Sequence, residues 1–359
     1  MVIKSLELSN FRNFRLLDLN FDEKTNILYG DNAQGKTNIL EAIYLCATTK
    51  SHRGTKDRDI VAFDEEEGHI RIFLDKKGDE IRIDMHLRKN GSKGIAIDGQ
   101  KLKRASQLLG VMNVVFFSPE DLSIIKNGPA ERRRFVDMEL CQLDPVYLRD
   151  LNSYNKIVNQ RNRLLKDMAF QPELSGTLDV WDMQLAGYAK RIIERRTMFA
   201  QELNGIIREV HESLSGGKEE LEVVYEPHVK TDEVEERMRK NRERDIRMKQ
   251  TTTGPHRDDF AFVANGIDIR RFGSQGQQRT AALSLKLSEI ELVKRVTKDT
   301  PILLLDDVLS ELDSNRQNYL LNSIGNIQTI VTCTGLDEFV NNRFEINRVF
   351  HVSHGEISD

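Results

Sequence analysis

The segment Gly30-Asp31-Asn32-Ala33-Gln34-Gly35-Lys36-Thr37 constrains this chain more than any other. It has the spacing G-x-x-x-x-G-K-T, a loop built to hold phosphate. The glycines permit a tight turn that aims backbone N–H groups inward at phosphate oxygens. The lysine reaches the β- and γ-phosphates, and the threonine hydroxyl can hold Mg²⁺. The flanks agree with this reading. Asn26-Ile27-Leu28-Tyr29 reads as a short strand. Asn38-Ile39-Leu40-Glu41-Ala42-Ile43-Tyr44-Leu45 reads as a helix, whose N-terminal dipole favours anions.

Downstream the chain changes character twice. Residues 69–102 read as a β-meander. Ile70-Arg71-Ile72-Phe73 and the alternating Ile81-Arg82-Ile83-Asp84-Met85-His86-Leu87 are strands, and Lys77-Gly78, Asn90-Gly91 and Asp98-Gly99 are turns. From about Pro129 the pattern is helical, and Asp144-Pro145 supplies an N-cap and first-turn pair. Tyr147, Leu151, Tyr154, Val158, Leu165 and Met168 recur at helical spacing, interrupted at Arg161. A second stripe holds Leu185, Tyr188, Ile192, Phe199, Leu203, Ile206 and Val210. Two such helices joined by a short loop predict an antiparallel hairpin. Residues 232–249 predict one charged helix with a solvated face. A β/α pattern returns at the Asn265-Gly266 turn. Pro301-Ile302-Leu303-Leu304-Leu305-Asp306-Asp307 then reads as a central parallel strand ending in two carboxylates, with Gln328-Thr329-Ile330-Val331-Thr332 as its neighbour. The expected organisation is an α/β head (1–128 and 251–359) with a β-rich subdomain, into which a helical arm (129–250) is inserted.

Composition narrows the function class. The net charge of −4 argues against a basic coat, while a local basic groove stays compatible with it. Apolar runs are too short to span a membrane, and the N-terminus lacks a signal-peptide pattern. Cys46, Cys141 and Cys333 form no C-x-x-C pair, so neither a disulfide framework nor a zinc site is expected. These features predict a cytoplasmic protein with no membrane partner.

Three further places carry candidate chemistry. Asp306 ends its strand where α/β sheets place ligands, and is expected to orient the water shell of Mg²⁺ with Thr37. Asp307 is placed to position an attacking water as general base. Ser274-Gln275-Gly276-Gln277-Gln278 opens a helix with a hydroxyl, free backbone N–H groups and a dipole suited to phosphate. The bland alternatives are solvated carboxylates at a strand end and an ordinary capped turn.

Taken in this order, these motifs resemble the ABC-type ATPase head, and more closely the RecF family of bacterial recombination-repair proteins. The resemblance is carried by Leu8-Ser9-Asn10-Phe11-Arg12-Asn13, the phosphate loop with Asn38, and Phe117-Ser118-Pro119-Glu120-Asp121-Leu122. Gly254-Pro255-His256-Arg257-Asp258-Asp259 and Leu305-Asp306-Asp307-Val308-Leu309-Ser310-Glu311-Leu312-Asp313 complete it, so it covers nearly the whole chain.

The resemblance implies that Gly30, Asp31, Asn32, Ala33, Gln34, Gly35, Lys36 and Thr37 bind ATP. It gives Thr37 and Asp306 the Mg²⁺ and gives Lys36, Asp306 and Asp307 catalytic roles. Ser274, Gly276 and Gln277 become a signature that meets the γ-phosphate held by a second copy, and Asp313 lies in a loop crossing that interface. The implied protein is an ATP-dependent homodimer with slow, DNA-stimulated hydrolysis. It binds double-stranded DNA or single/double-strand junctions without sequence preference. It acts in recombinational repair, replication restart and SOS induction, with RecR and RecO as partners. Candidate DNA contacts are Arg132, Arg133, Arg134, Lys103 and Arg104, with Lys101 beside them; an ordinary solvated face is the alternative for each. A cassette or scaffold ATPase serving another protein is the rival function. The chain departs from the wider ATPase pattern at Gln275, where transporters carry glycine, and at Asp307, where they carry glutamate. It departs also at Thr332-Cys333-Thr334, where they carry a switch histidine, and in having no clear glutamine after Phe117.

Overall fold

The computed structural model describes residues 1–335 and 346–358. The chain forms two compact units, Met1–Asp121 with Lys286–Asp359, and Leu122–Leu285. The expected arm boundaries at 129 and 250 therefore give way to wider ones. The short helix after Asp121, a three-stranded sheet and the first half of a long helix belong with the arm helices.

The first unit opens with β1 (Val2–Phe11), β2 (Phe14–Asn20), β3 (Thr25–Tyr29) and α1 (Lys36–Thr48). The meander follows as β4 (Glu67–Lys76), β5 (Asp79–Arg88), β6 (Gly94–Ile97) and β7 (Gln100–Lys101), and then β8 (Val114–Phe117). Strands β2-β1-β4-β5-β6-β7 make one antiparallel sheet. Its two-residue turns at Lys77-Gly78 and Asp98-Gly99 have positive φ at both positions, which matches the right-handed twist of the strands they join. Asn90-Gly91 instead lies in a longer connection between β5 and β6. Alternation along β4 and β5 buries Ile70, Ile72, Met85 and Leu87 on one face.

The second unit holds α2 (Leu122–Lys126), α3 (Pro129–Leu143), α4 (Pro145–Asp167) and α5 (Leu178–Ser215). After these come β9 (Leu221–Glu226), α6 (Val234–Lys240), α7 (Arg242–Met248), β10 (Asp259–Ala264), β11 (Ile267–Asp268) and α8 (Ile269–Phe272). Helices α4 and α5 are antiparallel, because their ion pairs run in opposite order: Asp144 with Arg195, Asp150 with Arg191, Arg161 with Asp182. Asp144 caps α4 as expected, accepting from the amides of Val146 and Tyr147. The inward stripe of α4 is Tyr147, Asp150, Tyr154, Ile157, Arg161 and Leu165, so the interruption at Arg161 is itself a buried position. Its guanidinium pairs with Asp182 at 2.8 Å and Asp245 at 2.7 Å. The gap between Ile192 and Phe199 on α5 likewise holds buried Arg196, paired with Asp137 and Asp258.

Residues 232–249 depart from the single solvated helix expected. They form α6 and α7, broken at Asn241, whose side chain donates to Thr253. Val234, Met238 and Asp245 are buried, and Asp245 accepts from the Arg161 guanidinium at 2.7 Å.

Helix α9 (Gln275–Thr297) leads back into the first unit, which ends with β12 (Ile302–Asp306), α10 (Ser314–Ile324), β13 (Thr329–Cys333), β14 (Arg348–Ser353) and β15 (Glu356–Ser358). These build a second sheet, β15-β14-β3-β13-β12-β8, parallel except at its β15 edge. The apolar run of β12 is wholly buried, as a central parallel strand should be. One core joins both sheets and α1, with Leu6, Ile72, Ile39, Ile43, Leu304 and Ile330 among its members. The Gln328 side-chain amide exchanges hydrogen bonds with the backbone N–H and C=O of Ile3, where β1 shifts register against β4.

A buried charge that loses its partner costs about 3–5 kcal/mol. Arg161→Met should therefore lower stability to urea by about that amount, since fully buried Asp245 loses its cation and keeps only Thr252, while Asp182 retains Arg242. A loss below about 1 kcal/mol would show those carboxylates to be solvated.

Candidate active site

The phosphate loop joins β3 to α1, and its two glycines are sterically required. Gly30 has φ 149, and a Cβ there would sit 2.3 Å from the Val352 carbonyl oxygen. Gly35 has φ 116, and its Cβ would lie 2.6 Å from the Asn13 amide. The loop is pinned from outside. Asn13 Nδ2 donates to the Gln34 carbonyl at 2.8 Å, and the His354 amide donates to Gln34 Oε1 at 2.6 Å. Asn38 ties to Asn13 at 2.8 Å, and Arg53 reaches Asn38 at 3.2 Å. Lys36 is 4% exposed, and its ammonium is curled into the loop, donating to the carbonyls of Gly30 and Asp31. Asp31, Asn32 and Ala33 are exposed on the rim.

Strand order then delivers the acidic group. β3, β13 and β12 are adjacent and parallel, so their C-terminal ends lie side by side. Thr37 Oγ1 donates to Asp306 Oδ1 at 2.8 Å, closing a sequence separation of 269 residues. Thr332, which stands opposite Asp306 in the register, donates to the same oxygen at 2.8 Å. The Thr332 hydroxyl also accepts from the Asp307 amide at 3.0 Å. Burial raises the Asp306 pKa, the two hydroxyl hydrogen bonds oppose that rise, and neighbouring Asp307 adds to it. Asp307 is half-buried and takes a left-handed backbone, φ 51. The donor set of Thr37 and Asp306 is all oxygen, which suits a hard divalent cation such as Mg²⁺.

Behind the loop, α1 carries fully buried Glu41, which receives two hydrogen bonds of 2.8 Å from the Arg12 guanidinium and one from Ser51. Burial pushes the Glu41 pKa up, but the hydrogen bonds from Arg12 and Ser51 outweigh it and the net shift is downward. Arg12 also donates to the Asp59 carbonyl and to Thr55. The Leu8-to-Asn13 segment thus buttresses both the loop, through Asn13, and its helix, through Arg12.

The signature residues belong to the second unit. Ser274 Oγ accepts from the Gln277 amide at 3.2 Å, and Gln277 Oε1 accepts from the Ser274 amide at 2.8 Å. This reciprocal pair is a capping box at the start of α9. Gln277 Nε2 further donates to Glu219 at 2.9 Å. Gly276 is exposed, and the nearest atom to a Cβ there would be Ser274 Oγ at 3.8 Å. Its own chain therefore does not require glycine at this position. Asp313 caps α10, accepting from the Arg316 amide and guanidinium.

The candidate DNA contacts divide. Arg132 is not a surface cation: it is 2% exposed and bidentate to Asp259 at 2.7 and 2.9 Å, with a third bond to the Asn127 carbonyl, so its guanidinium is buried away from a surface ligand. Arg133 is half-buried and donates to the Asp258 carbonyl. Arg134, Lys101, Lys103 and Arg104 are exposed. The sequence pattern assigns no role to Glu41, and it marks Thr332 only as part of the Thr332-Cys333-Thr334 strand end that stands in place of a switch histidine.

Comparison with known proteins adds context. The family model described as RecF/RecN/SMC N terminal domain matches residues 2–358. The DNA replication and repair protein RecF of Agathobacter rectalis is 62% identical over 357 residues, covering 99% of each chain. A solved structure of the recombination mediator protein RecF-ATP in the RecFOR pathway superimposes with a TM-score of 0.94 at 37% identity, covering 99% of this chain and 97% of that one. The Smc head domain of Pyrococcus furiosus, with a TM-score of 0.56 at 17% identity over 99% of this chain and 95% of that one, shares the fold.

The Glu41 pair yields a pH-dependent expectation. Its lowered carboxyl pKa contributes stability that is complete above the ordinary glutamate range and is lost as pH falls through the folded value. Glu41→Gln should cost about 3 kcal/mol in urea unfolding at pH 7. The gap from wild type should narrow as pH drops below the ordinary range, and a gap independent of pH would contradict the assignment.

Proposed function

The chain belongs to the RecF family of DNA replication and repair proteins, with the fold of ABC-type ATPase heads, and from that premise we propose that it is an ATP-dependent DNA-binding switch. The observation that carries this reading is the Thr37–Asp306 contact, which joins the phosphate loop to the acidic strand end in one oxygen-lined corner. ATP is the nucleotide, by likeness to the relative solved as RecF-ATP. With ATP bound, the Lys36 ammonium would turn from the Gly30 and Asp31 carbonyls to β- and γ-phosphate oxygens, and the loop amides would donate hydrogen bonds to the others. Thr37 and Asp306 would hold Mg²⁺, which when bound would supply positive charge against the phosphates. Asp307 positions the attacking water. It is one methylene shorter than the glutamate usual in such heads, which fits slow hydrolysis.

Two copies close on ATP, with Ser274, Gly276 and Gln277 of each meeting the γ-phosphate held by the other and Asp313 at the interface. The exposed Gly276, with no packing demand of its own, suits close approach by a ligand held elsewhere. Asp313 as a helix cap is compatible with that role, since only its position on the surface is used. The dimer binds double-stranded DNA or single/double-strand junctions, and DNA stimulates its weak ATPase activity. It serves recombinational repair, replication restart and SOS induction in the cytoplasm, with RecR and RecO. Among the described residues no helix is long and apolar enough to cross a membrane.

Lys36→Ala should weaken ATP binding at least about 100-fold, measured by calorimetry, because the point charge on the phosphates is gone. Unchanged affinity would remove the loop as the site. Asp307→Asn should keep ATP affinity within about threefold while lowering the single-turnover hydrolysis rate about 10²–10⁴-fold, the range for a lost general base. Hydrolysis at the wild-type rate would remove Asp307 from that role.

A further inference from the structure

The antiparallel sheet of the first unit has a second face, turned away from the core. Along β4 and β5 the buried positions alternate with Glu67, His69 and Arg71 on one strand and Asp84, His86 and Arg88 on the other. The register sets Glu67 opposite Arg88 and His69 opposite His86. The two imidazoles stack, with ring centres 4.2 Å apart and planes 18° from parallel. Glu67 crosses this array on the diagonal, its Oε2 2.8 Å from His86 Nε2. One nitrogen of each histidine and one oxygen of Glu67 all lie within 4.8 Å of one another. His69, His86 and Arg88 line a groove of about 950 Å³ on this face, so the group opens onto solvent.

Two imidazole nitrogens and one carboxylate oxygen are the donor set of an open Zn²⁺ site, with a fourth position left for water. A tetrahedral ion with bonds of about 2.0–2.1 Å needs ligand atoms about 3.3 Å apart, which side chains on an open face reach by rotation. Mg²⁺ prefers oxygen alone, so this set differs in selectivity from the phosphate corner. Burial, and then the neighbouring His86, hold the His69 pKa below its ordinary value, which keeps the ring neutral as a ligand must be. Asp84, the next carboxylate on this face, is taken by Arg71 and Arg82, which leaves Glu67 as the anionic ligand.

Arg88 is the competitor. Its guanidinium lies 3.3 Å from Glu67 Oε1 and 3.3 Å from His86 Nδ1. An ion on His86 Nε2 leaves the proton on Nδ1, and an ion on Nδ1 occupies it directly. Either way no lone pair is left for Arg88, so the ion and Arg88 exclude each other. The same contacts without an ion make an ordinary hydrogen-bonded surface patch, and the two cases part at this residue.

We propose that Glu67, His69 and His86 form a binding site for a divalent transition ion of the Zn²⁺ class, which fastens β4 to β5 on the groove face. The site is independent of the nucleotide reading. Cysteine spacing does not reveal it, because its imidazoles meet only through strand register.

The test is calorimetric titration of the untagged full chain with Zn²⁺, without nucleotide and with excess Mg²⁺ to fill oxygen-only sites. Wild type should take up one Zn²⁺ that His69→Gln and His86→Gln each bind at least about tenfold more weakly, the loss expected when one of three ligands goes. Glu67→Gln should weaken it also. Arg88→Gln should bind at least as tightly as wild type, since it removes the competitor and no ligand. A wild type that takes up no Zn²⁺ below about 100 μM would overturn the proposal. Uptake unchanged in both histidine variants would place the ion elsewhere and overturn it too. Equal weakening in Arg88→Gln would show that the variants act by disturbing the sheet, which again removes the site.

Discussion

The carboxylate of Asp306 accepts hydroxyl hydrogen bonds from Thr37 and Thr332 at the same oxygen, and the phosphate corner depends on that convergence. It exists because β3, β13 and β12 are consecutive parallel strands that end at one level. A parallel sheet puts all its strand ends on one edge, so residues far apart in the chain meet there without long side chains. The arrangement leaves Asp306 buried and its charge dependent on neighbours. A divalent cation between hydroxyl and carboxylate would supply the counter-charge that two threonines supply only in part.

The buttress behind the corner has a different physical basis. Glu41 is fully buried on α1, so its charge persists only because Arg12 meets it with a two-toothed hydrogen bond. Asn13, the next residue, holds the loop backbone. One turn between β1 and β2 thereby sets the position of both loop and helix. The second unit repeats the device with Arg161 and Arg196, each buried among carboxylates contributed by separate elements. Such pairs are poor sources of net stability but strict about geometry, since each partner is costly to leave alone.

Much of this was legible in the residues. The loop spacing, the three turns with positive φ at Lys77-Gly78, Asp98-Gly99 and Asn265-Gly266, and the buried β12 run follow from local rules, and those rules held. The long helices were readable too, but their inward stripes were not. Arg161 and Arg196 sit at core positions that a hydrophobic count treats as interruptions, because burial there is decided by partners tens of residues away. The same blindness made 232–249 look like one solvated helix, although Asp245 is the buried partner of Arg161. It also made Arg132 look like a surface cation. A charge run in sequence says nothing about which member faces Asp259. Thr332 escaped for a related reason: its role exists only through the register of β13 beside β12.

The central claim is that ATP joins two copies of this chain through the phosphate loop of one and the signature of the other. The most direct measurement is molar mass by light scattering in Mg-ATP, in Mg-ADP and without nucleotide. The account predicts that mass doubles in Mg-ATP and stays monomeric in the other two conditions. A mass that is the same in all three, with ATP binding intact, would contradict it and leave the nucleotide acting within a single copy.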